Sequence, residues 1–126
     1  MKLLLDTHIV LWFFDDNKKL SKKVTEAILD SENEKYISIV SAWELAIKTS
    51  IGKLTFEGGV GQFFTAVEEN GFELLPLKGD HLKQLENLPF HHRDPFDRLL
   101  IATAISEGMT LTSTDENILL YGVSNF

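Results

Sequence analysis

Four acidic side chains stand where apolar segments end or helices are expected to begin. They are Asp6, Glu44, Asp97 and Asp115. Carboxylates that cluster in a fold repel one another and raise their own pKa values unless a cation is present. Oxygen ligands suit Mg²⁺ or Mn²⁺, which serve phosphoryl chemistry by activating water and neutralising charge on the phosphate. If the fold gathers these acids, the sequence predicts a divalent-metal site.

The elements that would gather the acids follow from the apolar pattern. Four runs have the length of strands, and the first three are apolar almost throughout, which is typical of strands covered on both faces. These runs are 2–5, 36–40, 72–77 and 109–112. Glycines close three predicted helices between them, at 41–51, 60–70 and 96–107. We therefore predict one α/β domain over residues 1–126, with a central parallel sheet of four or five strands and helices on both faces.

Such a sheet binds ligands beyond the carboxyl ends of its strands. Asp6 directly follows the first run, Glu44 follows the second, and Asp115 follows the fourth. Asp97 lies in the first turn of the helix that leads into the fourth run. All four acids are therefore expected at the same edge of the sheet.

Each acid also has a structural explanation when it is considered alone. Asp6 could cap the helix after the first strand. Ser41 and Glu44 have the spacing of a capping box, in which a serine begins a helix and the glutamate bonds back to its backbone N–H. Asp115 could lie in a turn before a short helix. The functional interpretation depends on the four acids occurring together.

The segment HHRDPFDR, residues 91–98, combines a helix start with the only two arginines of the chain. Asp94 is expected at the N-cap, the proline after it suits the first helical position, and Asp97 then faces the positive end of the helix dipole. This explains one acid and the proline, but not why Arg93 and Arg98 frame both acids. Arginines beside a metal site would suit bidentate contacts with phosphate.

Composition restricts the class of protein. An apolar fraction of 44% and a charged fraction of 25% are typical of a soluble globular protein, and no apolar run is long enough to cross a bilayer. The lack of cysteine excludes disulfides and thiolate metal sites, and a cytoplasmic location is expected. The net charge of −7 argues against nucleic-acid binding by a global basic surface, but a nuclease with an acidic metal site and local cations remains compatible.

Four motifs resemble those of PIN-domain ribonucleases, and most closely those of the VapC-type toxins of bacterial toxin–antitoxin pairs. They are LLDTH, SAWELAIKTSIGKL, HHRDPFDRLLIATA and LTSTD, in that order along the chain. The resemblance covers nearly the whole chain, and its third motif is the most specific. It implies a PIN-like domain and an Mg²⁺- or Mn²⁺-dependent endoribonuclease whose products carry a 5′-phosphate and a 3′-hydroxyl.

The resemblance also assigns roles to residues of this chain by position. The implied catalytic residues and metal ligands are Asp6, Glu44, Asp97 and Asp115. The implied supporting residues around them are Thr7, Asp94 and Ser113. The candidate contacts with RNA or with an antitoxin are His92, Arg93 and Arg98. RNA and a cognate antitoxin protein are the implied partners, and a homodimer is the expected assembly.

Two features depart from the family pattern. Family members often have an arginine just before the last acid, whereas this chain has Thr114. The chain also ends soon after Tyr121-Gly122-Val123, so a final edge strand there would be short.

Further candidates lie in the first helix and among the histidines. The run IVLWFF is apolar all round, which predicts a buried helix; alternatively Trp12, Phe13 or Phe14 is partly exposed and receives a partner segment or a second subunit. The four histidines lack a metal-binding spacing such as H-E-x-x-H, so no zinc site is expected. His91 and His92 are expected to contact RNA or to tune the acidic site.

Two other functions compete with the nuclease. A signalling module could accept a phosphoryl group on Asp6, but such modules have an acidic pair or an Asp-x-Asp there, and this chain has Asp6-Thr7-His8. A non-catalytic PIN scaffold would have lost its acids, whereas all four are present.

Overall fold

A computed structural model describes residues 1–121 of the chain. Strands and helices alternate along this part, as the apolar pattern predicts. The strands are β1 (Lys2–Leu5), β2 (Glu34–Ser38), β3 (Glu73–Leu75) and β4 (Thr110–Thr112). The α-helices are α1 (Thr7–Phe14), α2 (Lys22–Leu29), α3 (Ile39–Ser50), α4 (Gly59–Glu69), α5 (Gly79–Glu86) and α6 (Pro95–Glu107), and a 3₁₀ helix follows at Glu116–Tyr121.

The four strands form one parallel sheet in the order β3-β2-β1-β4. Leu4 of β1 pairs with Tyr36 on one side and with Leu111 on the other. Because β1 lies between β2 and β4, the carboxyl ends of these three strands are neighbours at one edge. The predicted fold class is confirmed.

Strand β1 is covered on both faces. Leu3 and Leu5 are fully buried in one core, which includes residues of α1, α2 and α4. Leu4, between them, is buried in a second core with Ile101 of α6 and Leu111 of β4. Alternate side chains of a strand point to opposite faces. This arrangement explains why β1 reads as a continuous apolar run, and it confirms the prediction of helices on both faces.

The boundary between β2 and α3 corrects one prediction. Strand β2 ends at Ser38, and the Oγ of Ser38 accepts a hydrogen bond from the backbone N–H of Val40 at 3.0 Å, so Ser38 is the N-cap of α3. Ser41 is therefore the third residue of the helix, and the predicted capping box of Ser41 and Glu44 is wrong. Glu44 lies in the second turn and does not cap α3.

The helix ends behave as predicted. Gly52, Gly71 and Gly108, which follow α3, α4 and α6, have φ values of 74°, 72° and 66°. These left-handed conformations are readily adopted only by glycine. The remaining prediction, a short final edge strand, falls mainly on residues 122–126, which lie outside the described part. No helix within residues 1–121 is long and apolar enough to cross a membrane.

Candidate metal centre

Asp6 is buried at the carboxyl end of β1. Its Oδ1 accepts the backbone N–H of His8 at 2.8 Å and thereby caps α1, and its Oδ2 accepts the hydroxyl of Ser113 at 2.5 Å. Burial raises its pKa, although both hydrogen bonds oppose this shift. Helix capping and a place in an acidic site are therefore compatible for Asp6, because one carboxylate serves both.

Glu44 is the most buried of the four acids, with 2% of its surface exposed. Its Oε2 accepts a hydrogen bond from the ammonium of Lys48 at 2.5 Å, one helical turn further along α3. Its Oε1 is buried and has no hydrogen-bond partner among the described residues. A buried oxygen of an acid without a partner is costly, so this atom calls for a cation or another donor.

Asp97 lies in the first turn of α6, as predicted, and burial raises its pKa to about 7. The charges of Asp6, Asp94 and Glu44 contribute further to this shift, in that order. Helix α6, which carries Asp97, packs against α3, which carries Glu44. The neighbouring carboxylates disfavour the ionised form of Asp97, so this position attracts a cation.

Asp115 joins the cluster through a histidine. Nε2 of His92 lies 2.5 Å from Oδ2 of Asp115 and 3.2 Å from Oδ2 of Asp97. These groups could each offer one ligand atom, and the three atoms lie within 4.8 Å of one another. Burial raises the pKa of Asp115, but hydrogen bonds from the backbone N–H of Asn117 and from His92 outweigh it, so that the net shift is downward.

The predicted supporting residues adjoin this cluster. Ser113 donates to Asp6, and Asp94 caps α6 by accepting the backbone N–H groups of Phe96 and Asp97. Thr7 is buried and its hydroxyl is 2.8 Å from that of Ser41. This contact joins the start of α1 to α3 and so ties the element behind Asp6 to the helix that carries Glu44.

The two arginines have different environments. Arg93 is exposed and makes no hydrogen bond or ion pair within residues 1–121. Arg98 is buried, and its guanidinium donates to the backbone carbonyls of Leu88 and Pro89 at 3.2 and 2.9 Å. The ring of Phe90 covers the guanidinium at 3.9 Å. The charge of Arg98 holds the loop before α6, so this buried side chain does not support the candidate contact of Arg98 with RNA or an antitoxin.

This difference predicts unequal effects of the two arginines on stability. We expect Arg98→Ala to lower the free energy of unfolding by about 3 kcal/mol, because it leaves the carbonyls of Leu88 and Pro89 without their charged donor. Arg93→Ala is the matched control and should change it by less than about 0.5 kcal/mol. Urea denaturation measures both values. Equal effects would contradict the structural role of Arg98.

The raised pKa of Asp97 predicts a pH dependence of the metal-free protein. A carboxyl whose pKa rises on folding stabilises the fold below its unfolded pKa, and this contribution is lost as the pH rises to about 7. The wild-type protein should therefore lose stability relative to Asp97→Asn between about pH 4 and pH 7. Urea denaturation in chelator at several pH values measures the difference. A difference that does not vary with pH would contradict the burial of this charge.

The donor set fits a hard divalent cation. It consists of carboxylate oxygens, one of them buried without a partner, with no thiolate in the chain. Such oxygens suit Mg²⁺ or Mn²⁺. Asp6, Glu44 and Asp97 are the residues that would hold the ion, with Asp115 beside them.

Three residues make contacts in the site that the sequence analysis did not predict. Lys48 partners Glu44, and its spacing of four residues on one helix was a readable signal. His92 joins Asp97 to Asp115, which is one of the two roles that the sequence left open for it. The hydroxyl of Tyr121 accepts the backbone N–H of His92 at 2.7 Å, a contact that no sequence pattern indicates.

The aromatic residues of α1 are intermediate in exposure. Trp12, Phe13 and Phe14 pack against the core that contains Leu3 and Leu5, and the rings of Phe13 and Phe14 contact Phe72. Trp12 and Phe14 also line a groove of about 730 Å³ between α1, α4 and the loop at residues 54–58. The helix is therefore neither wholly buried nor free of the core.

The fold and the site place this chain among the α/β proteins that have an acidic site at the carboxyl edge of a parallel sheet. The sequence model of the PIN-domain family matches residues 3–123, so the chain belongs to that family. No curated protein sequence matches the chain.

Several solved structures share the fold. VapBC2 from Rickettsia felis, bound to a DNA fragment from its promoter, has a TM-score of 0.74 at 15% identity and covers 100% of this chain and 98% of that chain. DNA-bound VapBC from Salmonella typhimurium has a TM-score of 0.70 at 17% identity, with 100% and 97% covered. VapBC-5 from Mycobacterium tuberculosis, a member of the VapBC family of toxin–antitoxin systems, has a TM-score of 0.58 at 17% identity, with 94% and 89% covered.

Proposed function

We propose that this protein is an Mg²⁺- or Mn²⁺-dependent endoribonuclease that acts as the toxin of a toxin–antitoxin pair. The observation that carries the proposal is that Ser113 and His92 link Asp6, Asp97 and Asp115 in one network of contacts. An oxygen of Glu44, on the helix packed against α6, is buried without a partner among the described residues. Membership of the PIN-domain family and a fold shared with VapBC proteins support it.

The residues of the site divide the work of phosphodiester hydrolysis. A bound divalent ion would neutralise charge on the phosphate and activate the attacking water. Asp6, Glu44 and Asp97 hold it, directly or through water, and Asp115 completes the acidic edge. Ser113 fixes one oxygen of Asp6, and Lys48 fixes one oxygen of Glu44, so that each carboxylate keeps a single orientation.

Local cations and partner surfaces complete the proposal. Arg93 is exposed one residue before the helix cap Asp94 and is the arginine that we assign to a phosphate of the RNA, whereas the buried Arg98 is not available. The groove lined by Trp12 and Phe14 is the surface that we assign to the antitoxin, since it is concave and partly apolar. A homodimer is the assembly proposed for the toxin.

A phosphoacceptor function for Asp6 is disfavoured by its surroundings. Asp6 is 5% exposed, and both of its oxygens accept hydrogen bonds, from His8 and from Ser113. An attacking carboxylate needs access to its substrate. The chain also lacks the acidic pair or the Asp-x-Asp of such modules, because its sequence here is Asp6-Thr7-His8.

The test of the proposed function is a cleavage assay with single-stranded RNA labelled at its 5′ end. Cleavage is expected with Mn²⁺ or Mg²⁺ and should be absent in chelator, and the same sequence as DNA should remain intact. Expression of the chain alone should arrest bacterial growth, and co-expression of the small protein encoded beside it should restore growth. RNA that stays intact over a range of sequences and both metals would reject the nuclease.

A further inference from the structure

The loop before α6 brings a histidine into the acidic cluster. We propose that His92 is a positioning residue of this centre, which donates a hydrogen bond from Nε2–H to Asp115 beside Asp97, and that it does not bind the metal ion. The inference rests on the proposed function, because it assigns a role within that metal centre.

The distances around the ring of His92 are compatible with two roles, a metal ligand and a hydrogen-bond donor. Nε2 of His92 is 2.5 Å from Oδ2 of Asp115 and 3.2 Å from Oδ2 of Asp97, and the three groups lie close enough to share one ion. A His–Asp–Asp ligand set would favour transition metals over Mg²⁺, since imidazole nitrogen is a softer ligand than carboxylate oxygen. The other ring nitrogen decides between a ligand and a donor.

Nδ1 of His92 accepts a hydrogen bond from the backbone N–H of Asp94 at 3.1 Å. A backbone N–H can only donate, so Nδ1 must present its lone pair. In a neutral imidazole the hydrogen then resides on Nε2. Nε2 is the atom that faces the two carboxylates, and an N–H group there can donate to Asp115 but cannot offer a lone pair to a metal ion.

The backbone of His92 is fixed as firmly as its ring. Its N–H donates to the hydroxyl of Tyr121 at 2.7 Å, and its carbonyl accepts from the guanidinium of Arg98 at 3.4 Å. The same guanidinium nitrogen lies 3.4 Å from the hydroxyl of Tyr121. The buried arginine therefore holds the loop that carries His92, and the first residue of the helix cap, Asp94, sets which nitrogen of the ring carries hydrogen.

The donor has a definite use at Asp115. The Oδ1 of Asp115 accepts the backbone N–H of Asn117 at 2.9 Å, and His92 holds Oδ2, so each oxygen has one fixed partner. The side chain of Asp115 is 28% exposed, and without His92 only the bond from Asn117 would orient it. Groups that orient metal-binding side chains in this way contribute roughly 10–100-fold to metal affinity.

The position of the hydrogen is measured directly by long-range ¹H–¹⁵N correlation spectra of the metal-free protein. We expect the His92 ring to show a protonated Nε2 and an unprotonated Nδ1. The spectrum reports the ring nitrogens of His92 in the metal-free protein and therefore does not depend on enzymatic activity. A ring with hydrogen on Nδ1 would overturn the proposal.

The metal-bound state is tested by pulsed electron paramagnetic resonance of the Mn²⁺-loaded protein. Bound Mn²⁺ is expected without the coupling to ¹⁴N that a directly ligated imidazole produces. Such a coupling, lost in His92→Ala, would overturn the positioning role and leave the nuclease proposal intact. A protein that binds no Mn²⁺ would overturn both the proposed function and this inference.

Calorimetry of Mn²⁺ binding to His92 variants distinguishes a hydrogen-bond donor from a metal ligand. His92→Ala should weaken Mn²⁺ binding by about 10–100-fold. His92→Gln places an amide N–H near the position of Nε2 and should recover affinity to within about threefold of wild type. Asp80→Asn, at an exposed acid of α5, is the control and should leave affinity unchanged. Equal losses for the glutamine and alanine variants would contradict the donor role.

Discussion

Replacement of Asp97 by asparagine is expected to lower RNA cleavage by on the order of a thousandfold while the protein stays folded. The asparagine keeps the size of the side chain but removes a charged ligand, and a catalytic metal ion supplies several kcal/mol of charge stabilisation. The start of α6 should persist, because Asp94, not Asp97, provides the cap. Cleavage rates with saturating Mn²⁺ measure the loss.

The loss of cleavage in Asp97→Asn should not come from a loss of stability. Burial and the charges of Asp6, Asp94 and Glu44 disfavour ionised Asp97, so the metal-free Asp97→Asn protein should melt at the wild-type temperature or above it. Asp80→Asn is the matched control, since Asp80 also lies in the first turn of a helix but is exposed and far from the cluster in sequence. It should cleave RNA normally. A well-folded Asp97→Asn protein that cleaves at the wild-type rate would show that the assigned centre is wrong.

The second large effect is expected at Glu44. Glutamine at this position keeps the shape of the side chain but brings no negative charge to a hard cation. We expect Glu44→Gln to lower Mn²⁺ affinity by at least about tenfold and RNA cleavage with it. Calorimetry and cleavage assays at matched Mn²⁺ concentrations measure the two effects.

A purely structural Glu44 would give a different pattern. Its ion pair with Lys48 could then be its only role, and the variant would be less stable yet would bind Mn²⁺ and cleave RNA normally. Glu26→Gln is the matched control, because Glu26 forms the same i,i+4 pair with Lys22 on an exposed helix face and should affect neither binding nor cleavage. Normal cleavage by a folded Glu44→Gln protein would reduce the proposed centre to three acids.

Much of the fold could be predicted because local and tertiary signals agree. Strand β1 is apolar throughout since it is buried on both faces, and its predicted bounds match the structure. The start of α6 follows from an aspartate cap and a proline at the first helical position. Helix α5 gave no comparable signal, because Lys78 precedes it where a serine, threonine, aspartate or asparagine would mark a start.

The start of α3 shows where local signals compete. Ser38 and Ser41 can both begin a helix, and the β-branched residues Ile39 and Val40 favour an extension of the strand. The pairing of Ser38 with Leu75 of β3 is the last in β2, and the chain enters the helix directly afterwards. That choice depends on the partner strand and therefore could not be inferred from these residues alone.

The sequence likewise predicted some features of the site and not others. The acids could be predicted because strand ends of a parallel sheet share an edge. The direction of Arg98 could not, since it depends on the carbonyls of Leu88 and Pro89 in a loop without periodic pattern. The contact of His92 with Asp115 spans 23 residues and depends on that loop as well.

The central claim is that Asp6, Glu44 and Asp97 surround one divalent cation. Diffraction data collected at the manganese absorption edge from crystals soaked in Mn²⁺ test it most directly. We expect an anomalous peak at coordination distance from carboxylate oxygens of these residues, and no such peak in crystals of Asp97→Asn treated identically. A peak elsewhere on the protein, or an undiminished peak in the variant, would contradict it.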